Sequence, residues 1–248
     1  MQIIPVIDLM GGLVVRGVAG RRHEYRPIES RLCDDATPAA VGAALRARFG
    51  FRQAYVADLD AIAGADPAWS VYEELGRSGY SLRLDAGAAT ADQARRIAEF
   101  RGGQLFSAVV VGLESLASPT ALAEMLASVG AERLVFSLDL KAQTPLTAAA
   151  DWQGLDALAI AGEALRLGVR RFIVLDLAQV GMSAGVGTEP LCRQLRALDA
   201  EIEIVAGGGV RGLGDLDSLA AAGCDGALVA SALHDGRLTP AMLGGYSL

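Results

Sequence analysis

The chain has 248 residues, a hydrophobic fraction of 52%, an aromatic fraction of 5% and a formal net charge of −7 at pH 7. This length suits one α/β barrel or two small domains. The negative charge argues against nucleic-acid binding, because a phosphate backbone requires a basic face. No apolar run reaches the roughly 20 residues of a membrane-spanning helix, so we expect no membrane association.

The amino terminus, the cysteines and the histidines indicate a cytoplasmic protein. Residues 1–5 lack the charged segment that opens a secretory signal. The three cysteines are scattered and odd in number, which fits neither a disulfide framework nor a metal site. The two histidines lie far apart in the chain, which argues against a zinc site. We expect no metal and no cofactor.

Eight short apolar runs alternate with helical patterns along the chain. In order, the runs are residues 3–8, 54–58, 82–85, 108–112, 134–139, 172–176, 202–207 and 227–231. Between them lie helical stretches such as 38–49, 119–129 and 155–167, several of which open with proline or a polar cap. This alternation predicts a parallel sheet. Because no Gly-x-Gly-x-x-Gly opens a helix after the first run, we favour an α/β fold of the (βα)8 TIM-barrel type over an open sheet.

The ends of the predicted strands repeat between the two halves of the chain. The matched pairs are Asp8 with Asp139, Asp58 with Asp176, the glycine-containing turns 84–88 with 206–210, and residues 111–113 with 230–232. Matching ends in the same order predict a single barrel domain over residues 1–248, built from half-barrels of about 1–130 and 131–248.

Three segments carry a resemblance to a known family. They are residues 4–9 (IPVIDL) with 12–16 (GLVVR), residues 135–139 (VFSLD) and residues 206–210 (AGGGV). Over nearly its whole length the chain resembles the histidine-biosynthesis barrels, the isomerase HisA and the cyclase HisF, and it is more similar to the isomerase. The resemblance implies an Amadori rearrangement, in which an aminoaldose opens and becomes an aminoketose. It also implies that Asp8 and Asp139 are the acid/base pair and that Arg16 contacts the substrate.

The geometry of an eight-stranded barrel suits this chemistry. Strands one and five face each other, so Asp8 and Asp139 at their ends flank a substrate that lies over the mouth. Ring opening needs a proton on the ring oxygen, and enamine formation needs a proton removed from the neighbouring carbon. Two carboxyl groups with different pKa values can divide this work, and we expect Asp139 as the acid and Asp8 as the base. The alternative is that both aspartates only cap loops or pair with arginines.

The turns after strands seven and eight predict a phosphate site. The candidate residues are Gly207, Gly208, Gly209, Ala230 and Ser231. Glycines let the backbone approach an anion with its N–H groups, and the turn after strand eight opens a short helical segment. Barrels commonly hold phosphate between these two loops. Glycines needed only for tight turns are the alternative.

Acidic residues on the opposite rim depart from the family pattern. The resemblance implies a second phosphate after strands three and four, where this chain has Asp85 and, after Gly112-Leu113, Glu114. The strand-six end differs too, with Asp176 in place of a small polar residue and no Asp-Gly pair in residues 179–183. A carboxylate repels a nearby phosphate. We therefore expect a phosphorylated small-molecule substrate with one phosphate and a neutral or positive far end.

This pattern is most similar to a divergent group related to the isomerase, which lies near pterin-dependent one-carbon genes. That likeness implies a substrate outside or beside histidine biosynthesis. An arylamine or amino-pterin precursor that carries a ribose phosphate would fit one phosphate and an uncharged far end.

The first loop, residues 11–36, is long for a strand-to-helix connection and is rich in arginine. Long loops over this face of a barrel often close on substrate. Arginine offers bidentate contacts to phosphate or carboxylate, and Arg16 is our candidate for a substrate contact. We expect Arg21 and Arg22 to be solvated.

Three other functions stay open at this point. Lys141, the sole lysine of the chain, could form a Schiff base in a lyase or aldolase. A ring of aspartates could hold Mg²⁺, the candidates being Asp8, Asp58, Asp139 and Asp176. The barrel could also be a non-catalytic partner subunit. The sequence leaves open whether Asp58 and Asp176 touch ligand, and whether the protein is a monomer or a small homo-oligomer.

Overall fold

Eight parallel strands close into a barrel in the computed structural model, which describes residues 1–182 and 185–248. The end of the 179–183 segment singled out above lies outside the described residues. The barrel strands are β1 (Gln2–Met10), β2 (Gln53–Asp58), β3 (Ser81–Asp85), β4 (Phe106–Gly112), β5 (Leu134–Lys141), β6 (Arg171–Asp176), β7 (Glu203–Gly207) and β8 (Gly226–Val229). Strand β8 pairs in parallel with β1, from Gln2 opposite Gly226 to Pro5 opposite Val229, which closes the cylinder. The predicted (βα)8 fold is confirmed.

Helices follow the strands and surround the barrel. They are α1 (Pro38–Phe49), α2 (Trp69–Arg77), α3 (Ala91–Glu99), α4 (Pro119–Val129), α5 (Ala157–Leu167), α6 (Glu189–Leu198), α7 (Leu213–Ala221) and the single turn α8 (Ser231–His234). Proline stands in the first turn of α1, α4 and α6, where its missing N–H costs nothing. In the described ranges, no helix is both long and apolar enough to cross a bilayer.

Several short elements lie in the connections between the strands and the helices. A one-turn helix covers Leu59–Ile62, and short antiparallel strands cover Leu13–Arg16, Arg26–Pro27 and Thr144–Pro145. Turns of 3-10 helix cover Arg22–Glu24, Phe100–Gly103, Leu113–Ser115, Ala150–Trp152 and Leu177–Gln179. The eighth apolar run reaches residue 231, and within it β8 ends at Val229, after which Ser231 opens α8, as expected for a short helical segment after strand eight. Strand β5 instead continues past Asp139 to Lys141.

The barrel interior is filled by one layer of mainly aliphatic side chains. These buried residues are Ile4, Tyr55, Ala57, Ala108, Val110, Val135, Ile173, Val205 and Leu228. Because side chains alternate between the two faces of a strand, Asp8 faces the same way as Ile4, and Asp139 the same way as Val135. The strand pattern therefore directs both carboxyl groups to the inside, at the carboxyl-terminal end of the barrel.

Candidate active site

A cavity of about 350 Å³ occupies the carboxyl-terminal mouth of the barrel. Nine of the predicted site residues line it: Asp8, Arg16, Asp85, Asp139, Lys141, Gly208, Gly209, Ala230 and Ser231. A pocket of this size, with carboxyl groups and glycine backbone among mainly apolar side chains, suits a small-molecule ligand. Strand ends far apart in the chain thus contribute to one site.

The two opposed carboxyl groups lie at the ends of β1 and β5. Asp8 is half-buried in the cavity wall, and desolvation there raises its pKa to about 7. Burial also raises the pKa of Asp139 to about 8; a hydrogen bond from Ser137 opposes this shift, while the charges of Asp85 and Glu114 add to it. Both pKa values are near neutrality, where a side chain can give and take protons efficiently. Asp139 holds its proton to higher pH than Asp8.

Ser137 fixes the orientation of the Asp139 carboxyl group. Its Oγ donates a hydrogen bond to Asp139 Oδ1 at 2.6 Å, and its side chain is fully buried. The sequence analysis did not single out Ser137. The available signal was its position two residues before Asp139 on the same strand, because residues i and i+2 share a face.

The rim formed by β3 and β4 is acidic. Asp85 is buried, and Tyr55 on β2 donates its hydroxyl to Asp85 Oδ2 at 3.4 Å. Burial raises the pKa of Asp85 to about 6, against hydrogen bonds from the Gly87 amide and Tyr55. Burial and the nearby carboxylates also raise the pKa of the Tyr55 hydroxyl. Sequence reasoning missed Tyr55, since an aromatic residue in a buried strand looks like ordinary core.

Gly112 lets the carboxyl groups of neighbouring strands approach each other. A Cβ atom at this position would lie 3.0 Å from Asp139 Oδ2 and 3.7 Å from Asp85 Oδ2. On the same rim, the Gly87 amide donates to Asp85 Oδ1 at 3.1 Å. One backbone donor of this rim, the Gly87 amide, is thus already bonded to a carboxyl group.

The rim formed by the ends of β7 and β8 carries glycine backbone in place of carboxyl groups. Gly208 and Gly209 adopt φ angles of +88° and +92°, and both line the cavity. A Cβ atom would lie 2.9 Å from the Asp176 carbonyl oxygen at Gly208 and 2.5 Å from the Gly185 carbonyl oxygen at Gly209. Gly207 is the last residue of β7 and packs on Leu228 outside the cavity wall. Positions 208 and 209 thus require glycine, both because their φ angles are positive and because a Cβ atom would not fit.

Asp58 and Asp176 hold loops in place. Asp58 accepts hydrogen bonds from the Ala61 and Ala68 amides and from the Tyr72 hydroxyl. Asp176 accepts from the backbone amides of residues 142, 143 and 178, at 2.9–3.0 Å. Both carboxyl groups are buried, and neither appears among the described residues of the cavity wall. Their matched positions in the two halves of the chain reflect matched loop-supporting bonds.

The long first loop reaches across the mouth. Arg22 pairs with Glu114 on the β4 side at 2.9 Å, and the Ala19 amide donates to the Val180 carbonyl oxygen beyond β6 at 2.8 Å. Arg22 lines the cavity and its side chain is 39% exposed, close to the 42% of Arg21, which pairs with Glu24. The loop therefore forms part of the cavity wall.

The Arg16 side chain extends from the first loop toward the β8 side of the mouth. Its guanidinium donates to both carboxylate oxygens of Asp235, at 2.5 and 3.3 Å. Arg237 donates to the same carboxylate at 3.0 Å. Both arginines line the cavity. Arg237 was missed by sequence reasoning, because an isolated arginine near the carboxyl terminus carries no motif.

Lys141 lines the cavity but is exposed to solvent. It stands at the end of β5, opposite Thr144 in a short hairpin. Within residues 1–182 and 185–248, no group of three or more His, Cys, Asp or Glu side chains is arranged to hold a metal ion. The aspartate ring considered for Mg²⁺ is divided, since two of its members bond to backbone amides.

The comparisons with known proteins extend over nearly the whole chain. A family profile described as "Histidine biosynthesis protein" matches residues 2–239. A protein of Rubrobacter xylanophilus is 33% identical over 247 residues, covering 96% of this chain and 93% of its own. A protein of Deinococcus radiodurans is 30% identical over 240 residues, covering 96% and 95%. Both are described as 1-(5-phosphoribosyl)-5-((5-phosphoribosylamino)methylideneamino)imidazole-4-carboxamide isomerase. An uncharacterized protein of Methanocaldococcus jannaschii is 29% identical over 238 residues, covering 96% and 95%.

Proposed function

The chain belongs to the histidine biosynthesis protein family, and on that premise we propose that it is an isomerase that converts a phosphorylated aminoaldose into an aminoketose. The observation that carries the proposal is the pair of carboxyl groups on opposite strands of the mouth. Their pKa values, about 7 for Asp8 and about 8 for Asp139, give one group the tendency to accept a proton and the other the tendency to donate one.

The reaction needs several proton transfers that these two residues can divide. Asp139 donates its proton to the ring oxygen as the C1–O bond breaks, which leaves an open-chain iminium between C1 and the amine nitrogen. Asp8 then removes the proton from C2, and the electron pair of that C–H bond forms the C1=C2 bond of an enaminol. Protonated Asp8 then returns a proton to C1 while ionised Asp139 accepts the enaminol hydroxyl proton, which yields the ketone at C2 and restores both carboxyl groups. No oxidant or reductant is consumed, and every step is general acid/base catalysis.

The proposed substrate carries one phosphate, bound by the β7 and β8 rim. The positive φ angles of Gly208 and Gly209 and their place on the cavity wall support this assignment, because such a turn lets backbone N–H groups face an anion. The β3 and β4 rim offers Asp85 and Glu114 instead. A charge pair at 4 Å interacts by about 1 kcal/mol in water and several-fold more where water is excluded, so a second phosphate there is disfavoured.

The far end of the proposed substrate is a hydrogen-bond donor or a cation. Asp8, Asp85 and Asp139 all have raised pKa values because burial outweighs the groups that favour ionisation, which include the charge of Arg22 at Asp85. A donor or positive group on the substrate would favour their ionised forms. An arylamine or amino-pterin precursor linked to ribose phosphate has these properties, which places the proposed reaction outside or beside histidine biosynthesis.

Complementation tests the proposed substrate. A histidine auxotroph that lacks the isomerase should not grow without histidine when it expresses this chain, although the relative from Deinococcus radiodurans should restore growth. Growth at the normal rate with this chain would refute the single-phosphate substrate and would assign the protein to histidine biosynthesis.

A Schiff-base lyase is the second candidate, because Lys141 reaches the cavity wall. Its amine would attack a substrate carbonyl with loss of water, and borohydride would reduce the resulting imine to a stable adduct. Intact mass after incubation with a sugar phosphate and borohydride should show no adduct on the wild type if the isomerase proposal holds. An adduct that Lys141→Gln abolishes would establish the lyase instead.

A further inference from the structure

Charge is distributed unevenly around the mouth of the barrel. The β3 and β4 side carries Asp85 and Glu114, with Arg22 bonded to Glu114. On the β8 side, two guanidinium groups share one carboxylate, and this cluster has a net charge of +1. The two ends of the cavity thus have opposite electrostatic character, which would orient a ligand that is negative at one end only.

The cationic cluster consists of Arg16, Asp235 and Arg237. Asp235 stands between the two arginines, at 2.5 Å from Arg16 and 3.0 Å from Arg237. Burial opposes ionisation of Asp235, but hydrogen bonds and charge from both arginines outweigh it and lower its pKa. The carboxylate is therefore ionised at neutral pH, and it ties a residue of the first loop to a residue of the last loop.

The backbone holds Arg237 close to the predicted phosphate site. The Leu238 amide donates to the Ala232 carbonyl oxygen at 2.9 Å, and the Asp235 amide donates to the Ser231 carbonyl oxygen at 2.8 Å. These bonds fold the segment after α8 back onto the start of that helix. As a result Arg237 lines the same cavity as Gly209 and Ser231.

The base of the first loop is also fixed to this segment. Ser30 Oγ lies 2.9 Å from His234 Nδ1, and the Arg31 amide donates to the His234 carbonyl oxygen at 2.9 Å. Burial lowers the pKa of His234 to about 4, so its ring is neutral at pH 7 and adds no charge. The positive charge of the cluster thus comes from the two arginines, on a segment held by hydrogen bonds.

We propose that Arg237 is a phosphate-binding residue, which forms with Arg16 a two-guanidinium clamp, held by Asp235, beside the Gly208–Gly209 turn. This inference rests on the proposed function and deepens it. The ligand is a phosphate monoester, because a guanidinium presents paired N–H donors that match phosphate oxygens. The clamp would also explain how an acidic protein selects an anion: its charge is concentrated at one rim.

Titration of the full chain with inorganic phosphate tests the clamp. Calorimetry or 31P NMR should show binding to the wild type, with amide shifts at Gly209 and Ser231. Arg237→Gln should weaken binding by about tenfold or more, and Arg237→Lys should weaken it less, because the charge remains while the planar fork is lost. Arg211→Gln is the matched control. Arg211 pairs with Asp215 after β7 but does not appear on the described cavity wall, so its loss should change affinity less than about twofold.

Each outcome of this titration decides a different statement. If the wild type and Arg237→Gln bind phosphate equally well, the clamp is overturned and the phosphate site remains. If the wild type does not bind phosphate at Gly209 and Ser231, both the clamp and the phosphate site are overturned. If Arg237→Gln does not fold, the arginine Nε–H resonances of the wild type provide the test. Phosphate should shift the Arg237 resonance and leave the Arg211 resonance in place. An Arg237 resonance that does not shift would overturn the clamp.

Discussion

Three aspartates at the mouth illustrate how burial creates reactivity in single residues. Asp8, Asp85 and Asp139 are ordinary carboxyl groups at the ends of β1, β3 and β5. In this position their pKa values rise to about 7, 6 and 8, mainly because they are removed from water. A carboxyl group that only caps a loop, such as Asp58, instead accepts several hydrogen bonds from backbone amides. The two classes of aspartate look alike in sequence and differ in their partners.

The proposed acid/base pair, Asp8 and Asp139, predicts a narrow bell-shaped pH dependence of the rate. Activity should rise with pH as Asp8 loses its proton near pH 7, and fall as Asp139 loses its proton near pH 8. Asp8→Asn and Asp139→Asn should each lower kcat by a factor of about 10² to 10⁴. Steady-state kinetics between pH 5 and pH 10, on a substrate that the wild type converts, would measure both limbs. A profile that Asp139→Asn leaves unchanged would contradict the assignment.

Ser137 should act on the rate through Asp139. Its hydrogen bond favours the ionised carboxyl group, so Ser137→Ala should raise the pKa of Asp139 further. We expect the alkaline limb of the pH profile to move upward by about one unit. Ser107→Ala is the control, because Ser107 donates to the Leu82 carbonyl oxygen away from the site. An alkaline limb that does not move in Ser137→Ala would show that Ser137 has no influence on the proton of Asp139.

Asp85 should make the protein less stable as the pH rises. Its folded-state pKa, about 6, exceeds its ordinary value of 3.8, so ionisation favours the unfolded chain. The loss of folding free energy that ionised Asp85 causes is absent below about pH 4, grows up to about pH 6 and is then constant at about 3 kcal/mol. Asp85→Asn should therefore stabilise the protein at pH 8 and have little effect at pH 4. Urea unfolding at both pH values checks this, with the exposed Asp66→Asn as control; an equal effect of Asp85→Asn at both would contradict it.

At the scale of elements, the sequence predicted the regular structure well and the loops poorly. The helical stretches 38–49 and 119–129 agree with α1 and α4 at both ends, because proline marks each start. The first loop was expected to close over the mouth, but its contacts could not be foreseen. Arg22 and Glu114 are 92 residues apart, and Arg16 and Asp235 are 219 residues apart. Pairing over such distances depends on barrel closure, which local patterns do not encode.

The contact between the first loop and the loop after β6 should be required for activity. Gly181 adopts a φ of +71°, and a Cβ atom there would lie 2.0 Å from the Gly17 carbonyl oxygen. Gly181→Ala should therefore displace the first loop from the mouth and lower kcat/KM by about tenfold or more.

Gly154→Ala separates this collision from backbone strain. Gly154 has a φ of +81° and open space around its Cβ direction, so it reports the cost of the conformation alone, about 1 kcal/mol. Gly181→Ala should lose at least about 1 kcal/mol more in the free energy of unfolding. Equal losses in the two variants, with activity retained, would show that the first loop does not depend on this contact.

At the scale of the whole molecule, the barrel brings residues from both halves of the chain into one polarised site. The alternation of strands and helices predicted the fold, and two of the four repeated aspartates, Asp8 and Asp139, lie on the cavity wall. The roles of those aspartates were beyond the sequence: Asp58 and Asp176 share the pattern of Asp8 and Asp139, but backbone amides from neighbouring loops bind them. Tyr55 and Arg237 became visible only when the strands and loops around them were in place.

The most direct test of the account compares two substrates of the purified protein in one isomerase assay. One is an arylamine N-linked to ribose 5-phosphate, and the other is the doubly phosphoribosylated imidazole carboxamide of the relatives. Acidic side chains on one rim and glycine backbone with arginines on the other predict that kcat/KM is at least about 100-fold higher for the arylamine substrate. Equal or faster conversion of the doubly phosphorylated compound would contradict the account, because both rims would then accept phosphate.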